Sequence, residues 1–487
     1  MKLKKNDIYT AEIESITNLG FGVCRIFGNV VFVPDTVTGD VIECRIIKVG
    51  GSYSVGRAEK VINRSKLFVG DRCGGACRSC AYRNISYETE LEIKTEHVRH
   101  EMKKAGLSHI EVKDTAPSPR LLGYRNKAQY PLMNTKDGIA VGFFAPKSHR
   151  VTEAGNCPLS PKVFSQIIEV IRAFLERNSV SIYDEQSGEG LMRHIYLRYG
   201  EISGEILLTL VINADKFPRI SELVEQITAR FPEVVGILLN KNTEKTNVIL
   251  SERYETVFGR GYIYDTLGGV KLKISAPSFY QVNHSVAELL YAEVARLSAV
   301  KPTDTVLDLY CGAGSIGLSL AKSAAEVIGI EIVEDAVKCA RENAEANGIK
   351  NAKFFTGDAA DTKKLLATAE RELCRKIEPN VVILDPPRSG CDKKLLDYTA
   401  GLAPEKIVYV SCNPATLARD IAYLRTLGYD TNTLAPFDMF PMTGHVESVV
   451  CLKRQIQQLS LPLRASEVAF GSEVHCVSEV SPDGEVG

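Results

Sequence analysis

The chain has 487 residues, of which 45% are hydrophobic and 24% charged, close to globular averages and inconsistent with wholesale disorder or a collagen-like fold. At about 150 residues per domain, the length suggests roughly three domains. The net charge of −1 hides an asymmetry: residues 1–150 carry 24 Lys and Arg against 16 Asp and Glu, and the remainder carries 35 against 44, so a basic front half suited to meeting a polyanion precedes an acidic back half.

Apolar runs fall well short of the roughly 18 residues of a membrane span; the longest, 206–214, is strand-sized. The amino terminus, MKLKKNDIYTAEIES, turns polar where a signal peptide needs an apolar stretch. Without such a signal, 13 cysteines fit a reducing cytoplasm and suggest ligand or catalytic thiols rather than a disulfide framework. A soluble cytoplasmic protein, with no membrane partner, is expected.

In chain order, residues 1–60 read as a small β-module. Short β-rich runs broken at Gly20-Phe21-Gly22, Gly28-Asn29 and Thr38-Gly39-Asp40 argue for an OB-like barrel. Residues 61–268 contain a cysteine-rich knot beginning near Lys66, a charged helix at 87–105, and an α+β region at about 121–260. That region is rich in arginine, as in GYRNKAQYP and GLMRHIYLRYG, and reads as RNA-binding. Residues 269–454 alternate strand and helix patterns like a parallel α/β sheet. Its strands are expected at 305–310, 327–332, 352–356, 380–385 and 406–411, followed by a pair near 430–439 and 446–452. Residues 455–487, with one basic residue against five acidic ones, lack periodicity and read as a disordered tail. The fold class expected is multidomain α/β.

Five motifs carry chemistry. In VLDLYCGAGSIGLSLA (306–321), an apolar strand ends at Asp308 and a turn through Gly312 and Gly314 opens a helix. Such glycines let a ligand approach the backbone and the helix N–H groups. Glu331 ends the next strand, where a carboxylate can accept both ribose hydroxyls. Ile316 and Gly317 break the phasing of a dinucleotide site, and the arrangement resembles the S-adenosylmethionine site of Rossmann-like methyltransferases. Asp358, in TGDA, suits the adenine end of that ligand. The bland alternative is a plain glycine-rich turn.

In ILDPPRSG (383–390), Asp385 is followed by two prolines that hold it rigidly at the carboxyl edge of the sheet, where α/β folds bind ligands. Methyltransferases acting on exocyclic amines commonly place an aromatic residue after the prolines, where this chain has Arg388. VYVSCNPATLARD (408–420) sets Cys412 at a strand-to-loop junction. Cysteines are common in buried strands, but carbon 5 of a pyrimidine becomes nucleophilic only after addition at carbon 6, for which a thiolate is suited. In GHVESVVCL (444–452), Glu447 opens an apolar strand, a costly place for a carboxylate unless it is exposed, paired or functional; a rim residue is the simpler reading of that motif alone. Finally, Cys73, Cys77 and Cys80 supply three thiols over eight residues, and Cys157, in NCPLS, offers a fourth. Four thiolates suit zinc or an iron–sulfur cluster, and spacing alone does not choose. Cys24, Cys44, Cys311, Cys339, Cys374, Cys391, Cys451 and Cys476 stand alone and read as packing or exposed thiols.

Together with SFYQVN (278–283) and HVES (445–448), these motifs resemble the RNA (uracil-5-)-methyltransferase family, in the family's order and from residue 1 to about 454. The resemblance implies a TRAM domain at the amino terminus, donor or target binding by Gln281, Tyr310, Glu331 and Asp385, Cys412 as nucleophile and Glu447 as base. It also implies a [4Fe–4S] centre on Cys73, Cys77, Cys80 and Cys157. The first cysteine gap is three residues rather than the family's usual five, and the tail after Arg454 has no counterpart. The expected activity is S-adenosylmethionine-dependent methylation of carbon 5 of a uridine in structured RNA, with 23S ribosomal RNA favoured and transfer RNA the nearer alternative. The target base would have to leave its stack. An RNA 5-methylcytosine enzyme would generally carry a cysteine directly after the proline, where Arg388 stands; Cys391 lies three residues on. A non-catalytic RNA-binding factor with a degenerate methyltransferase fold is the alternative from another class, and the presence of every chemical residue argues against it.

Overall fold

A computed structural model describes residues 2–75, 77–145, 148–357 and 362–455, apart from the side chains of 362–365 and 368. Asp358, and all but the first residue of the expected 455–487 tail, lie outside this set. Among the described residues no helix is long and apolar enough to cross a membrane.

Six strands open the chain: β1 (Ile8–Glu12), β2 (Ser15–Ile16), β3 (Phe21–Ile26), β4 (Asn29–Pro34), β5 (Val41–Lys48) and β6 (Ser54–Asn63). They form one sheet in the order β1-β5-β6-β4-β3-β2. Alternation of apolar and polar residues sends Cys24, Ile26, Val31, Val33, Ile42, Cys44 and Ile46 into one small core, as a half-buried sheet requires. The sheet curls so that β1 also approaches β3, giving a half-barrel.

Helix α1 (Tyr87–Lys104) starts where Ser86 Oγ accepts the Thr89 N–H at 3.2 Å. Glu88 and Glu90 in its first turn and Lys103 and Lys104 in its last complement the helix dipole. It is followed by β7 (Glu111–Val112). The middle of the chain forms a seven-stranded sheet from β8 (Lys127–Thr135), β9 (Gly138–Phe144), β10 (Val151–Glu153), β11 (Met192–Tyr199), β12 (Ile206–Ile212), β13 (Val234–Lys241) and β14 (Tyr254–Gly259). Helices α2 (Lys162–Arg177) and α3 (Ile220–Arg230) share a core with this sheet. Every residue of β12 is buried; Ile206, Leu208, Leu210 and Ile212 enter one core, and Leu207 enters another.

A hairpin of β15 (Tyr262–Leu267) and β16 (Val270–Ser275) leads into α4 (His284–Ser298). There follow β17 (Thr305–Leu309), α5 (Ser315–Leu320), β18 (Glu326–Glu331), α6 (Glu334–Ala346), β19 (Ala352–Thr356), α7 (Thr362–Leu373), β20 (Val381–Leu384), α8 (Lys393–Gly401), β21 (Lys406–Ser411), α9 (Pro414–Thr426), β22 (Tyr429–Asp430), β23 (Thr433–Phe437) and β24 (Glu447–Arg454). The sheet runs β19-β18-β17-β20-β21-β24-β23-β7, with β22 also on β24. Strands β17 to β21 are parallel, and β24 runs antiparallel between β21 and β23. Strand order reverses between β17 and β20, which opens a crevice at their carboxyl ends.

Two expectations need correction. A division at residues 268 and 269 falls in the turn of the β15–β16 hairpin, and β7 pairs with β23 while α1 packs on α9. Segments assigned to the central region therefore belong physically to the carboxyl-terminal sheet. The arginines of GLMRHIYLRYG are also not an RNA-facing set: Arg193 and Arg198 are buried. Arg193 donates to the Asn242 and Glu244 carbonyls at 2.8 and 2.9 Å. Arg198 donates to Ala276 O at 3.1 Å and to Ser278 O, tying β11 to the segment that leads to Gln281. Arg198→Met should leave both carbonyls without that donor, lowering unfolding free energy by about 1–3 kcal/mol; urea titration followed by tyrosine fluorescence checks this.

Candidate active site

The crevice is built first by the β17–α5 turn. Tyr310 adopts a left-handed backbone, φ 64°, a conformation costly for a non-glycine residue and often found at ligand sites. Inside α5, a methyl on Gly317 would meet Asp308 Oδ2 at 2.8 Å and Val327 Cγ1 at 2.9 Å, so glycine is required for α5 to pack this closely. The Gly317 N–H donates to Asp308 Oδ2 at 2.9 Å, while Asp308 Oδ1 has no partner. Burial, together with the Asp385 and Glu331 charges, pushes the Asp308 carboxyl up to about 8. Glu331 accepts the Gly312 N–H on one oxygen and the Val333 N–H on the other, each at 3.0 Å. This holds the carboxylate facing the turn, with lone pairs remaining for a ligand.

Gln281 is buried. Its carbonyl accepts from Asn126 Nδ2 at 2.9 Å, and Asn283 Nδ2 donates to Met439 O at 3.2 Å, so the central sheet and the β23–β24 loop both position this segment.

The second half of the crevice comes from β20, β21 and β24. Ser411 pairs with Ser448, so Cys412, one step past β21, lies opposite Glu447, the first residue of β24. Asn413 caps α9, accepting the Ala415 N–H at 3.1 Å, with Pro414 at the first helical position, which fixes the chain just beyond Cys412. The Arg388 carbonyl accepts from Asn413 Nδ2 at 3.0 Å and Thr416 Oγ1 at 3.2 Å, pinning the DPPRSG loop to the cysteine loop. Burial and the Glu447 charge push the Cys412 thiol up, and the charge of the Arg388 guanidinium opposes part of that rise. Arg388 also lies 3.4 Å from the His445 ring. Arg388, His445 and Asp308 are the site residues that motif reading left without a role. The signal for Arg388 was its position three residues after Asp385.

Glu447 is buried, and desolvation followed by the Asp385 charge pushes its carboxyl up to about 8. Asp385 keeps some solvent contact at the crevice floor yet is surrounded by protein atoms, and burial raises it to about 7. A cationic ligand beside Asp385 would bring it back down. The crevice thus offers a thiol beside an arginine, a buried carboxyl across from it, and an acidic pocket suited to a positively charged ligand.

The expected metal ligands cluster separately. Cys73, Cys77, Cys80 and Cys157 are free thiols. Burial and then the charges of the other three raise Cys80 to about 12, so all four share one neighbourhood. Among the described residues, however, no three ligating side chains are grouped to hold a metal ion, and the expected set is not preformed at ligation spacing. Protonated thiols have no attraction to draw them together, whereas metal binding deprotonates and gathers them; the donor set fits a cluster in chemistry and neighbourhood. Arg125 acts electrostatically on both Cys80 and His445, placing the thiols near the crevice mouth.

The raised carboxyls fix the sign of a pH effect. Because Asp308, Asp385 and Glu447 titrate higher folded than unfolded, the native state holds extra protons, and stability falls as pH rises from about 5 to about 8. Asp308→Asn and Glu447→Gln should each flatten that decline in thermal melts of the ligand-free protein.

Comparison with known proteins places this geometry. The family model for tRNA (uracil-5-)-methyltransferase matches residues 86–455. An uncharacterized RNA methyltransferase of Clostridium acetobutylicum is 37% identical over 465 residues, covering 93% of this chain and 98% of that protein. One of Halalkalibacterium halodurans is 35% identical over 454 residues, covering 93% and 98%. The solved structure of the Pyrococcus abyssi tRNA (uracil-54, C5)-methyltransferase in complex with S-adenosyl-L-homocysteine superimposes with a TM-score of 0.73 at 29% identity, covering 91% of this chain and 99% of that one. On this sequence match and this shared architecture, the chain belongs to the tRNA (uracil-5-)-methyltransferase family of S-adenosylmethionine-dependent RNA-modifying enzymes.

Proposed function

We propose that this enzyme methylates carbon 5 of a uridine in cytoplasmic 23S ribosomal RNA through a covalent Cys412 adduct, on a Rossmann-like domain preceded by a TRAM domain. The observation that carries the chemistry is the placement of Cys412 opposite Glu447, with the Arg388 charge acting on the thiol. Arg388 favours the thiolate. Cys412 Sγ adds to carbon 6, and the electron pair displaced to carbon 5 takes the methyl group from the donor sulfonium, which leaves as S-adenosylhomocysteine. Glu447 then removes the carbon-5 proton, the 5,6 double bond re-forms, and Cys412 departs as thiolate. Desolvation of Glu447 suits it to accept that proton near neutral pH. Asp385, Glu331, Tyr310 and Gln281 hold the donor and the flipped base. The family resemblance and the four-cysteine set favour ribosomal RNA; the Pyrococcus abyssi enzyme, which acts on tRNA, favours a second reading in which tRNA is the substrate. Mass mapping of 5-methyluridine in both RNAs, from cells with and without the gene, separates the two.

Cys412→Ala should bind RNA and donor with turnover reduced at least 10³-fold, about the scale of losing a nucleophile; retention of a tenth of the activity defeats the assignment. Glu447→Gln should consume about one methyl group per active site and stall as a methylated protein–RNA adduct. Asp385→Asn should fail earlier without that adduct. Denaturing gels with radiolabelled donor check both.

Cys73, Cys77, Cys80 and Cys157 would hold a [4Fe–4S] cluster, whose contribution when bound is to rigidify the loop beside the crevice. No step of the methyl transfer requires a redox change, because the donor methyl is already electrophilic. Anaerobically purified protein should be brown and contain about four irons per chain, and stoichiometric zinc without iron would overturn this reading.

A further inference from the structure

The loop between β23 and β24, which delivers His445 and Glu447, is held by a buried charge cluster that the chemistry above does not use. Lys94 Nζ, on α1, donates to Asp438 Oδ1 at 2.6 Å, Glu90 Oε1 at 2.9 Å and Phe440 O at 3.2 Å. Lys94, Glu90 and Asp438 are each no more than 1% exposed. Asp438 Oδ2 accepts from Tyr87 Oη at 2.8 Å. Glu90 Oε1 also accepts the Met442 N–H at 2.6 Å, and Glu90 Oε2 accepts from Arg72 Nη2 at 3.0 Å. Two carboxylates thus face two cations, and the charges balance.

The cluster acts at one end of a strand register. Phe437 pairs with Glu447, and Asp438 is the next residue, so anchoring Asp438 fixes the end of the ladder where Glu447 stands. Further along the loop, the Pro441 carbonyl accepts from Tyr124 Oη at 3.1 Å, and the Met442 carbonyl accepts the Tyr82 N–H at 2.9 Å. A methyl on Gly444 would overlap the Asn18 carbonyl of the half-barrel, so the loop is also seated against the β2–β3 turn. Burying three charges, with a half-buried arginine beside them, to hold a short loop is expensive unless its placement matters.

We infer that Lys94, with Glu90 and Asp438, is a positioning residue for proton removal: it sets Glu447 against carbon 5 and contributes little to donor binding or to Cys412 addition. The inference rests on the reading of Glu447 as the base. In Lys94→Met, kcat should fall at least about tenfold with the donor KM within about twofold, and the methylated protein–RNA adduct should accumulate. Tyr87→Phe, which removes one bond to Asp438 and the acceptor of the Ser118 N–H at 2.7 Å, should show the same adduct with a loss of about threefold. Glu447→Gln, run on the same gel, separates the two claims. Absence of adduct from Glu447→Gln defeats the base assignment. Adduct from Glu447→Gln but none from folded Lys94→Met defeats the positioning role, as does a Lys94→Met kcat within about twofold of wild type. Should Lys94→Met fail to fold, Tyr87→Phe decides alone: adduct supports the inference and none overturns it.

Discussion

The reactive arrangement depends on the antiparallel seating of β24 between β21 and β23. Cys412 and Glu447 come from separate segments, and only the Ser411–Ser448 register sets them across from one another. That register is strongly specified. Val449 and Cys451 enter one core, while Val450 and Leu452 enter the other, so a one-residue slip would exchange the two sets. Hydrophobic burial along the strand therefore places the two polar groups at its end, with a stringency that neither side chain could impose alone.

Desolvation then sets the chemistry. The same burial that raises Asp308, Asp385 and Glu447 leaves an acidic crevice whose carboxyls are only partly ionised near neutral pH in the protein alone. A sulfonium donor supplies charge of the opposite sign, and the carboxylates nearest it regain their ionised form. Glu447, on a different strand, is raised to about 8 by burial. The Cys412 thiol is likewise raised by burial, and the Arg388 guanidinium opposes part of that rise. Burial thus raises both the thiol and the carboxyl, and the charge of Arg388 tempers each.

Much of the remaining chain supports this crevice at a distance. Arg198 spends its donors on the backbone before Gln281. Helix α1, Tyr82 and Tyr124 hold the loop before Glu447, and Arg72 and Tyr82 flank the Cys73–Cys80 segment. The cysteine-rich segment is therefore bonded into the same network as the loop carrying the base.

The sequence by itself determined the parallel α/β segment, because its strands are local apolar runs bounded by glycine turns and helix caps, as at Asn413-Pro414. It determined Cys412, Glu447, Asp385 and the glycine turn as candidates, because each motif is contiguous. It did not reveal that Arg193 and Arg198 are interior. An arginine reads as surface in a sequence, and only backbone carbonyls brought from residues 242, 244, 276 and 278 make its burial tolerable. Nor did it reveal the role of Lys94, whose partners Asp438 and Phe440 lie far along the chain, or the membership of β7 in the last sheet. These were decided by tertiary structure, since a buried charge is stable only where distant segments converge to pair it, and local pattern carries no record of that convergence.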